Sequence, residues 1–381
     1  MDSECMKKIR ILYICGGPLD HGGITTWVYN YLSHMDKERF CVDIVCYGNE
    51  VGSREELFCS DGTKVYHVPY LGKNPLKNYW GIKSIIKNGK YDIVHSHLEA
   101  MNAYSLYIAK SCGIQVRISH AHGSDYFGGN WAKLKIHGFL KKRIHRYSTV
   151  RLACSAAAGK WLYGDSAFEI IPNAIDLDKY AFNSNDRVEL RKQLSIPVDA
   201  RIVGCVGHFN SIKNQKYLIE VFNEICSNSL ECNAGNMYIL FVGDGELLDY
   251  CQELGEKLGI SSRLRFTGRV DDVNRFYSAM DVLAMPSIKE GLPLVAVEAQ
   301  ANGLSCLLSE GVPREAKVNE HTVFLPFEID KWKKAILEMF MEGDNSRNRG
   351  SDINMFVANE YNIDYSSRVL SKIYERSIKS D

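Results

Sequence analysis

The chain has 381 residues, 45% hydrophobic and 24% charged, which excludes a disordered or fibrous protein and, at about 100–200 residues per domain, is enough for two domains with their own cores. Lys+Arg and Asp+Glu both number 46, so net charge gives no reason to expect a nucleic-acid partner. The charge is uneven, however: residues 1–180 carry 23 basic and 17 acidic side chains, leaving 23 and 29 for the rest, or +6 against −6.

Short apolar runs alternate with longer helical patterns, the signature of parallel sheets flanked by helices. In the first half, strands are expected at Ile9–Cys15, Val42–Cys46, Lys64–His67, Ile93–Ser96, Val116–Ser119, Leu152–Cys154 and Glu169–Ile171. The first strand follows an acidic then basic start, and its apolar run is too short for a signal peptide or a membrane span. It leads into CGGPLDHGGITTWVYNYL, where Gly16, Gly17, Gly22 and Gly23 precede a helix expected from Thr25. Such glycines let a backbone approach a phosphate closely, and the helix start adds its free amides. The spacing is not G-x-G-x-x-G and the Lys-Ser/Thr of a P-loop is missing, so a plain tight turn is the competing reading.

Histidines gather at two later strand ends, His95 and His97 in DIVHSHLEA and His120 and His122 in RISHAHGSDY. Strand alternation puts both members of each pair on one face, with the second nearer the carboxyl edge. Most histidines are structural; His122, just before Gly123, is the best functional candidate. A zinc site formed by the four is the weaker alternative, with no cysteine or glutamate at ligand spacing to complete it. Twelve cysteines with no C-x-x-C pair, including Cys15, Cys46, Cys154 and Cys205 inside apolar runs, read as reduced core thiols of a cytoplasmic protein. From Tyr126 to Gly164 there is no acidic residue, while Lys133, Lys135, Lys141, Lys142, Arg143, Arg146, Arg151 and Lys160 interleave with Trp131, Ile136, Phe139, Leu140 and Ile144. A basic amphipathic helix there suits an anionic membrane surface or an anionic lipid-linked partner. The alternative is a solvated helix packed by its apolar face.

After a polar, helix-like stretch from Asn183 to Leu194 the pattern restarts. A strand in IPVDARIVGCVGHF is followed by strands at Tyr238–Val242, Leu264–Thr267, Val282–Met285, Cys306–Leu308 and Val323–Leu325. In VGHFNSIKNQKYLIEVF, His208 follows the strand and Lys213 sits before a helix expected over Gln215–Ile225. A lysine at a helix N-terminus is disfavoured by the dipole, so a bound anion would explain it; a solvated surface lysine is the alternative. FVGDGEL and FTGRVDDV are two more glycine turns at strand ends, and Asp271 and Asp272 read as a helix cap rather than a metal site. In SIKEGLPLVAVEAQANG, Pro293 suits the first position of a buried helix, and the preceding turn offers free amides to an anion. Glu290 beside that turn is then out of place unless it meets something neutral, such as a sugar hydroxyl. The last segment, IDYSSRVLSKIYERSIKS, is an amphipathic helix with Val369, Leu370, Ile373, Tyr374 and Ile378 on one face. The expected division is a first domain over 1–182, a second over 183–360, and a C-terminal helix over 361–381 that packs back on the first.

The early glycine loop, IPNAID, VGHFNSIKNQKYLIEVF, FVGDGEL, FTGRVDDV and the two glutamates seven residues apart together resemble the retaining GT-B glycosyltransferases of the glycosyltransferase-four family. The nearest in look are those that build bacterial capsular and exopolysaccharides, and the resemblance spans nearly the whole chain. It implies an α/β fold of two doubly wound Rossmann-like domains facing across a cleft, the first for the acceptor and the second for the nucleotide-sugar. It implies Glu290 at the donor sugar and Glu298 on the ribose, a separation that fits the rise of roughly 7.5 Å from Pro293 to Glu298 at about 1.5 Å per residue. It further implies that the amides of Gly291 and Leu292 meet sugar and phosphate, that Lys213 contacts the diphosphate, and that the Gly23 loop faces it. Gly245, Arg269 and Val270 would lie along the donor, the last two near the base, and His122 at the donor sugar. The family usually has arginine where this chain has His208, which offers one hydrogen bond in place of a charged fork and so implies weaker diphosphate binding or a need for protonation.

The implied reaction moves a sugar, most simply from a UDP-sugar, to a lipid-linked glycan with retention of configuration, in a cytoplasmic enzyme docked on the inner face of the plasma membrane. No metal or other cofactor is expected. Two other classes fit the same chain, a non-catalytic nucleotide-sugar-binding partner protein and a nucleotide-sugar epimerase.

Overall fold

The computed structural model describes residues 7–123, 131–227, 236–341, 349, 356 and 361–379, without the side chains of residues 132, 133 and 341. The chain forms two compact units, one of Met1–Ala174 with Ile363–Asp381 and one of Ile175–Asn362. The break falls before the short helix Leu177–Tyr180 because Tyr180 is buried in the second unit, donating its hydroxyl to Glu298 Oε1 at 2.9 Å.

In unit 1 seven strands, β1 Ile9–Ile14, β2 Phe40–Tyr47, β3 Val65–Val68, β4 Ile93–Ser96, β5 Val116–Ala121, β6 Val150–Ala153 and β7 Glu169–Ile170, form one sheet in the order β3-β2-β1-β4-β5-β6-β7, parallel at every pairing. Ile11, Leu12, Tyr13 and Ile14 have no exposed surface, which is why β1 reads as an unbroken apolar run rather than an alternating one. Period-two geometry sends Ile11 and Tyr13 into a core with Trp27, Val28 and Tyr31, and Leu12 and Ile14 into another with Ile82, Ile86 and Leu106. The C-terminal helix Ile363–Lys379 completes the first of these cores with Leu370, Ile373 and Tyr374, while Val369 and Ile378 are partly buried. Tyr374 and Tyr13 share a buried hydroxyl–hydroxyl hydrogen bond of 2.7 Å, and Arg39 pairs with Glu375 at 2.7 Å.

Unit 2 holds β8 Arg201–Val206, β9 Met237–Val242, β10 Leu264–Phe266, β11 Val282–Met285, β12 Ser305–Ser309 and β13 Thr322–Leu325, again all parallel, in the order β10-β9-β8-β11-β12-β13. The helix Gln215–Ser227 lays Leu218, Ile219, Val221, Phe222 and Ile225 into the core, and Asn183 caps Ser184–Gln193 by accepting from the amides of Asn185 and Asp186. Both sheets reverse their strand order once, between β1 and β4 and between β8 and β11. Ligands of doubly wound sheets bind at the carboxyl ends of the strands at such points.

Three local expectations change. The helix after the Gly-Leu-Pro turn begins at Leu294, and Pro293 is its N-cap with an extended ψ of 117°. The first helix begins at Gly23 rather than Thr25, because the extended Gly22 ends the loop earlier. Asp272 does stand at a helix N-cap, but its carboxylate makes no capping bond and accepts from Arg275 Nη1 at 3.2 Å instead.

Candidate active site

At the carboxyl edge of unit 2 three loops are tied together by backbone bonds. Asn210 Oδ1 accepts from the amides of Ile212 and Lys213 at 3.0 and 2.9 Å, folding the loop after β8 into a turn. The Ile288 amide donates to Ile212 O at 2.7 Å and the Glu290 amide to Gly311 O at 3.0 Å. The loop after β11 is thus pinned between those after β8 and β12, and this brings Lys213 and Glu290 together. Lys213 Nζ lies 2.6 Å from Glu290 Oε1, with both side chains mostly buried. Gly291 is half-buried, and Leu292 is buried just before the helix Leu294–Ala301.

Glu298, one turn into that helix, is 5% exposed and takes hydroxyl donors on both oxygens, Tyr180 at 2.9 Å and Tyr277 at 2.7 Å. Burial and the adjacent Glu298 hold the Tyr277 phenol well above its usual range. Gly243 and Gly245 adopt φ of +139° and +146°, and a Cβ on them would come 2.2 Å from Gly207 O and 2.4 Å from Phe209 O. Their glycine character is therefore explained by close packing of the β9 turn on the β8 turn. His208 sits between two carboxylates, Nδ1 at 3.4 Å from Asp244 and Nε2 at 3.1 Å from Glu246, and Arg269 reaches Asp244 at 2.9 Å. Asp244 is held below its usual range, the Arg269 and His208 bonds outweighing the desolvation that opposes them. Val270 follows, half-buried.

At the carboxyl edge of unit 1 the four histidines form one stack. His95 Nδ1 bonds the Tyr374 hydroxyl at 2.8 Å and its Nε2 meets His120 Nδ1 at 3.2 Å, while His97 Nδ1 meets His122 Nε2 at 2.8 Å. Trp27 packs edge-on against His120 and His122, with centroids 4.7 and 5.5 Å apart. Burial keeps all four rings neutral, with His122 pulled down to about 3 and the others well below their usual value. Ring nitrogens of His95, His97 and His120 lie within 4.8 Å of one another, a spacing a cation can use, yet His95 spends both of its nitrogens on hydrogen bonds.

Beside the stack is a cavity of about 1020 Å³ lined by the Gly16–Thr25 loop, Tyr47, Tyr70, His97, Glu99, Met101, Ile136 and others. A Cβ on Gly17, Gly22 or Gly23 would meet nothing, so these glycines leave open backbone on the cavity wall. Glu99 Oε1 accepts from the amides of His122 and Gly123 at 2.7 and 2.9 Å, and burial lifts its carboxyl to about 7.

Residues 21–179 match the family model described as Glycosyltransferase Family 4, and residues 186–352 the model described as Glycosyl transferases group 1. A Bacillus subtilis protein named as a glycosyltransferase, EpsF, is 30% identical over 312 residues, covering 80% of this chain and 79% of its own. The chain belongs to glycosyltransferase family four. The enzyme is also 28% identical, over 80% of each chain, to an Escherichia coli UDP-Gal:alpha-D-GlcNAc-diphosphoundecaprenol alpha-1,3-galactosyltransferase. Anabaena HepE, solved in complex with UDP, has the same GT-B fold, with a TM-score of 0.78 at 17% identity over 97% of this chain and all of the other.

Within unit 2 of this glycosyltransferase, Lys213 and Glu290 are in contact, and His208 and Arg269 meet through Asp244. Within unit 1, His122 and Gly23 lie near one edge of the sheet. The partners of these residues carry no local signal in the sequence: Tyr180 and Tyr277 on Glu298, Asp244 and Glu246 around His208, and Glu99 on the His122 amide. HLEA does follow the DIVHSH strand, but only the fold shows that its glutamate crosses to the next strand.

Proposed function

We propose that this glycosyltransferase moves a sugar from a UDP-sugar, held by unit 2, to a lipid-linked glycan acceptor, received by unit 1, with retention of configuration, in cell-surface polysaccharide biosynthesis. The Lys213–Glu290 contact carries the reading, because it sets a cation and a carboxylate beside the Gly291–Leu292 turn. A lysine ammonium has three donors, so Lys213 can hold Glu290 and a diphosphate oxygen at once. As the glycosidic bond breaks, negative charge grows on the diphosphate, met by Lys213, His208 and the amides of Gly291 and Leu292, while Glu290 faces the positive charge developing on the sugar. The acceptor hydroxyl enters on the face the diphosphate leaves, with a donor phosphate oxygen taking its proton. Glu298 holds the ribose, Arg269 and Val270 flank the base, and Gly245 shapes the turn beside them. The charge balance is supplied by side chains and amides, so no resident metal or cofactor is invoked. The relatives' names support donor and acceptor classes: one acts from UDP-Gal on a diphosphoundecaprenol-linked sugar. Product analysis by mass spectrometry, with UDP-sugars and short-chain lipid-diphosphate acceptors, tests this; release of an inverted product, or of none, defeats it.

His208→Arg should preserve or tighten donor binding in calorimetry, since a guanidinium stays charged between Asp244 and Glu246 and offers a fork to the diphosphate. A large loss of turnover would instead assign His208 a chemical role of its own.

The lipid-linked reading extends to the helix Trp131–Lys141. Trp131, Leu134, Ile136 and Phe139 are 70%, 45%, 56% and 54% exposed, so they do not bury an apolar face as an ordinary solvated helix would. Lys135 and Arg143 lie over the Trp131 and Phe139 rings, and Lys142 and Arg146 are exposed nearby. The Lys133 side chain lies outside the described residues, and no helix among those described is long and apolar enough to cross a membrane. This surface docks on an anionic bilayer, each basic residue adding about 1 kcal/mol that salt weakens. Co-sedimentation should require anionic vesicles and fade at high salt; equal binding to neutral vesicles, or none to either, removes this assignment.

A further inference from the structure

The helices on one face of the unit 1 sheet carry basic side chains and no acidic ones. Ile82 and Ile86 of Pro75–Gly89, Leu106 and Ala109 of Asn102–Ser111 and Tyr147 of Ile144–Tyr147 pack onto the core of Leu12 and Ile14, and Trp131–Lys141 packs on Asn102–Ser111. Not one aspartate or glutamate occurs in these four helices, and each has at least one lysine or arginine. The helices packed on the other face, Glu55–Ser60 and Ile363–Lys379, carry Glu55, Glu56, Asp364 and Glu375. Carboxylates are favoured in the first turn of a helix, so their absence is not what the backbone selects. Pro75–Gly89 lies within a stretch, Gly62 to Tyr91, that has six lysines and no acidic residue. Asn78, Ile82 and Ile86 turn inward and leave Leu76 and Trp80, one turn apart, 72% and 61% exposed. Lys83 Nζ stands 5.1 Å from the centre of the Trp80 ring, and Lys73 Nζ 5.4 Å from that of Tyr70. The outer stripe continues as Ser84 and Asn88, so its apolar part is confined to the first two turns. Those turns lie at the carboxyl edge of the sheet, because the helix follows β3. Tyr70, Leu71 and Gly72 just before it line the same cavity as Ile136 and His137 of Trp131–Lys141.

We propose that the first two turns of Pro75–Gly89 are a second point of contact with an anionic bilayer, so that unit 1 docks through this helical face and not through Trp131–Lys141 alone. The inference rests on the docking assigned to that helix. The side chains fit the boundary between acyl chains and headgroups. A tryptophan ring settles at headgroup depth, Leu76 enters beside it, and the lysines lay their stems along the apolar ridge while their ammonium groups reach the lipid phosphates. With no carboxylate on the four helices, nothing on this face repels those phosphates. Two side chains are too small an apolar patch for a stable protein partner, which takes about 800 Å² from each side, whereas an interfacial helix gains from each side chain it inserts. The second contact has a geometric consequence. A single helix leaves the protein free to roll on the membrane about that helix's axis, and a second contact fixes which edge of unit 1 meets the lipid. Both contacts adjoin the same cavity, so docking through both holds that cavity at the headgroup layer, where the diphosphate of a lipid-linked substrate lies.

The test is co-sedimentation of the full chain with vesicles of phosphatidylglycerol and phosphatidylcholine. The Leu76→Ser, Trp80→Ser double variant is compared with a Trp131→Ser, Phe139→Ser double variant. Each should weaken binding by about tenfold and leave UDP affinity and Tm unchanged, because the side chains removed are mostly exposed. Tryptophan quenching by brominated phosphatidylglycerol reports insertion directly, since Trp27 and Trp332 are buried in the protein. It should persist in Trp131→Phe and largely disappear when Trp80→Phe is added. Undiminished binding of the Leu76→Ser, Trp80→Ser variant, with quenching already lost in Trp131→Phe alone, overturns the second contact and leaves the docking of Trp131–Lys141 standing. Failure of the unaltered protein to bind the anionic vesicles overturns both. A dimer seen by sedimentation velocity without vesicles, and dissolved by Leu76→Ser with Trp80→Ser, would assign the ridge to a second copy of the chain and overturn the proposal as well.

Discussion

Lys213→Ala should lower turnover by about two to three powers of ten, the scale on which a preorganised donor to developing charge acts, while the protein stays folded. The turn itself should hold, because it is fixed by Asn210 Oδ1 to the Ile212 and Lys213 amides, and the alanine keeps both amides. What it removes is the cation 2.6 Å from Glu290. Two losses follow. The diphosphate loses its ammonium donor, and Glu290 is left as a carboxylate without that partner beside an anionic ligand, so repulsion adds to lost attraction. Affinity for free UDP, which carries the leaving group's full charge, should fall too, and turnover should fall by more than affinity for the intact donor, because the extra charge appears only as the bond breaks. Lys213→Arg keeps the charge but not the compact ammonium geometry and should recover only part of the rate. Steady-state kinetics with calorimetry on the same preparations decide it, and a near-normal rate in the alanine variant would sink the assignment.

The strands were legible because both faces of each sheet are covered, so their sequences are apolar without alternation and end in glycine turns; β8, from Arg201 to the turn at Gly207, is the plainest case. Lys213 was legible from a conflict between residue type and helix dipole, and Glu290 from a carboxylate placed where an anion belongs. Long-range partners were not legible. Tyr180 and Glu298 are 118 residues apart, and Glu99 and His122 are 23, and no local periodicity links them. Gly245 was ambiguous for a different reason: ligand approach and backbone-on-backbone packing both select glycine, and only the distance to Phe209 separates the two. The exposed face of Trp131–Lys141 has the apolar spacing of a packed helix, and sequence periodicity reports that a face exists, not what covers it.

Glu290→Gln should depress turnover by about a hundredfold, equivalent to about 2.7 kcal/mol, and yet leave free UDP bound as tightly as before or more tightly. The carboxylate that Lys213 contacts offsets part of the ammonium's charge, so neutralising it leaves that charge fully available to the diphosphate, while the sugar loses the group that orients it and answers its developing positive charge. Glu298→Gln should do the reverse, weakening UDP and donor alike with a smaller effect on turnover, because ribose contacts are the same in ground and transition states. Glu298→Ala adds a stability effect that the glutamine largely avoids. It strips the acceptor from two buried hydroxyls, Tyr180 and Tyr277, at about 1–3 kcal/mol for each group left unmatched, so its Tm should fall while that of Glu290→Gln holds. Titration of free UDP and intact donor into each variant, beside thermal denaturation, separates the two residues. If Glu290→Gln weakens UDP as much as Glu298→Gln does, the division between sugar and ribose is wrong, and the Lys213–Glu290 pair serves to hold the loops after β8 and β11 together rather than to tune charge on the donor.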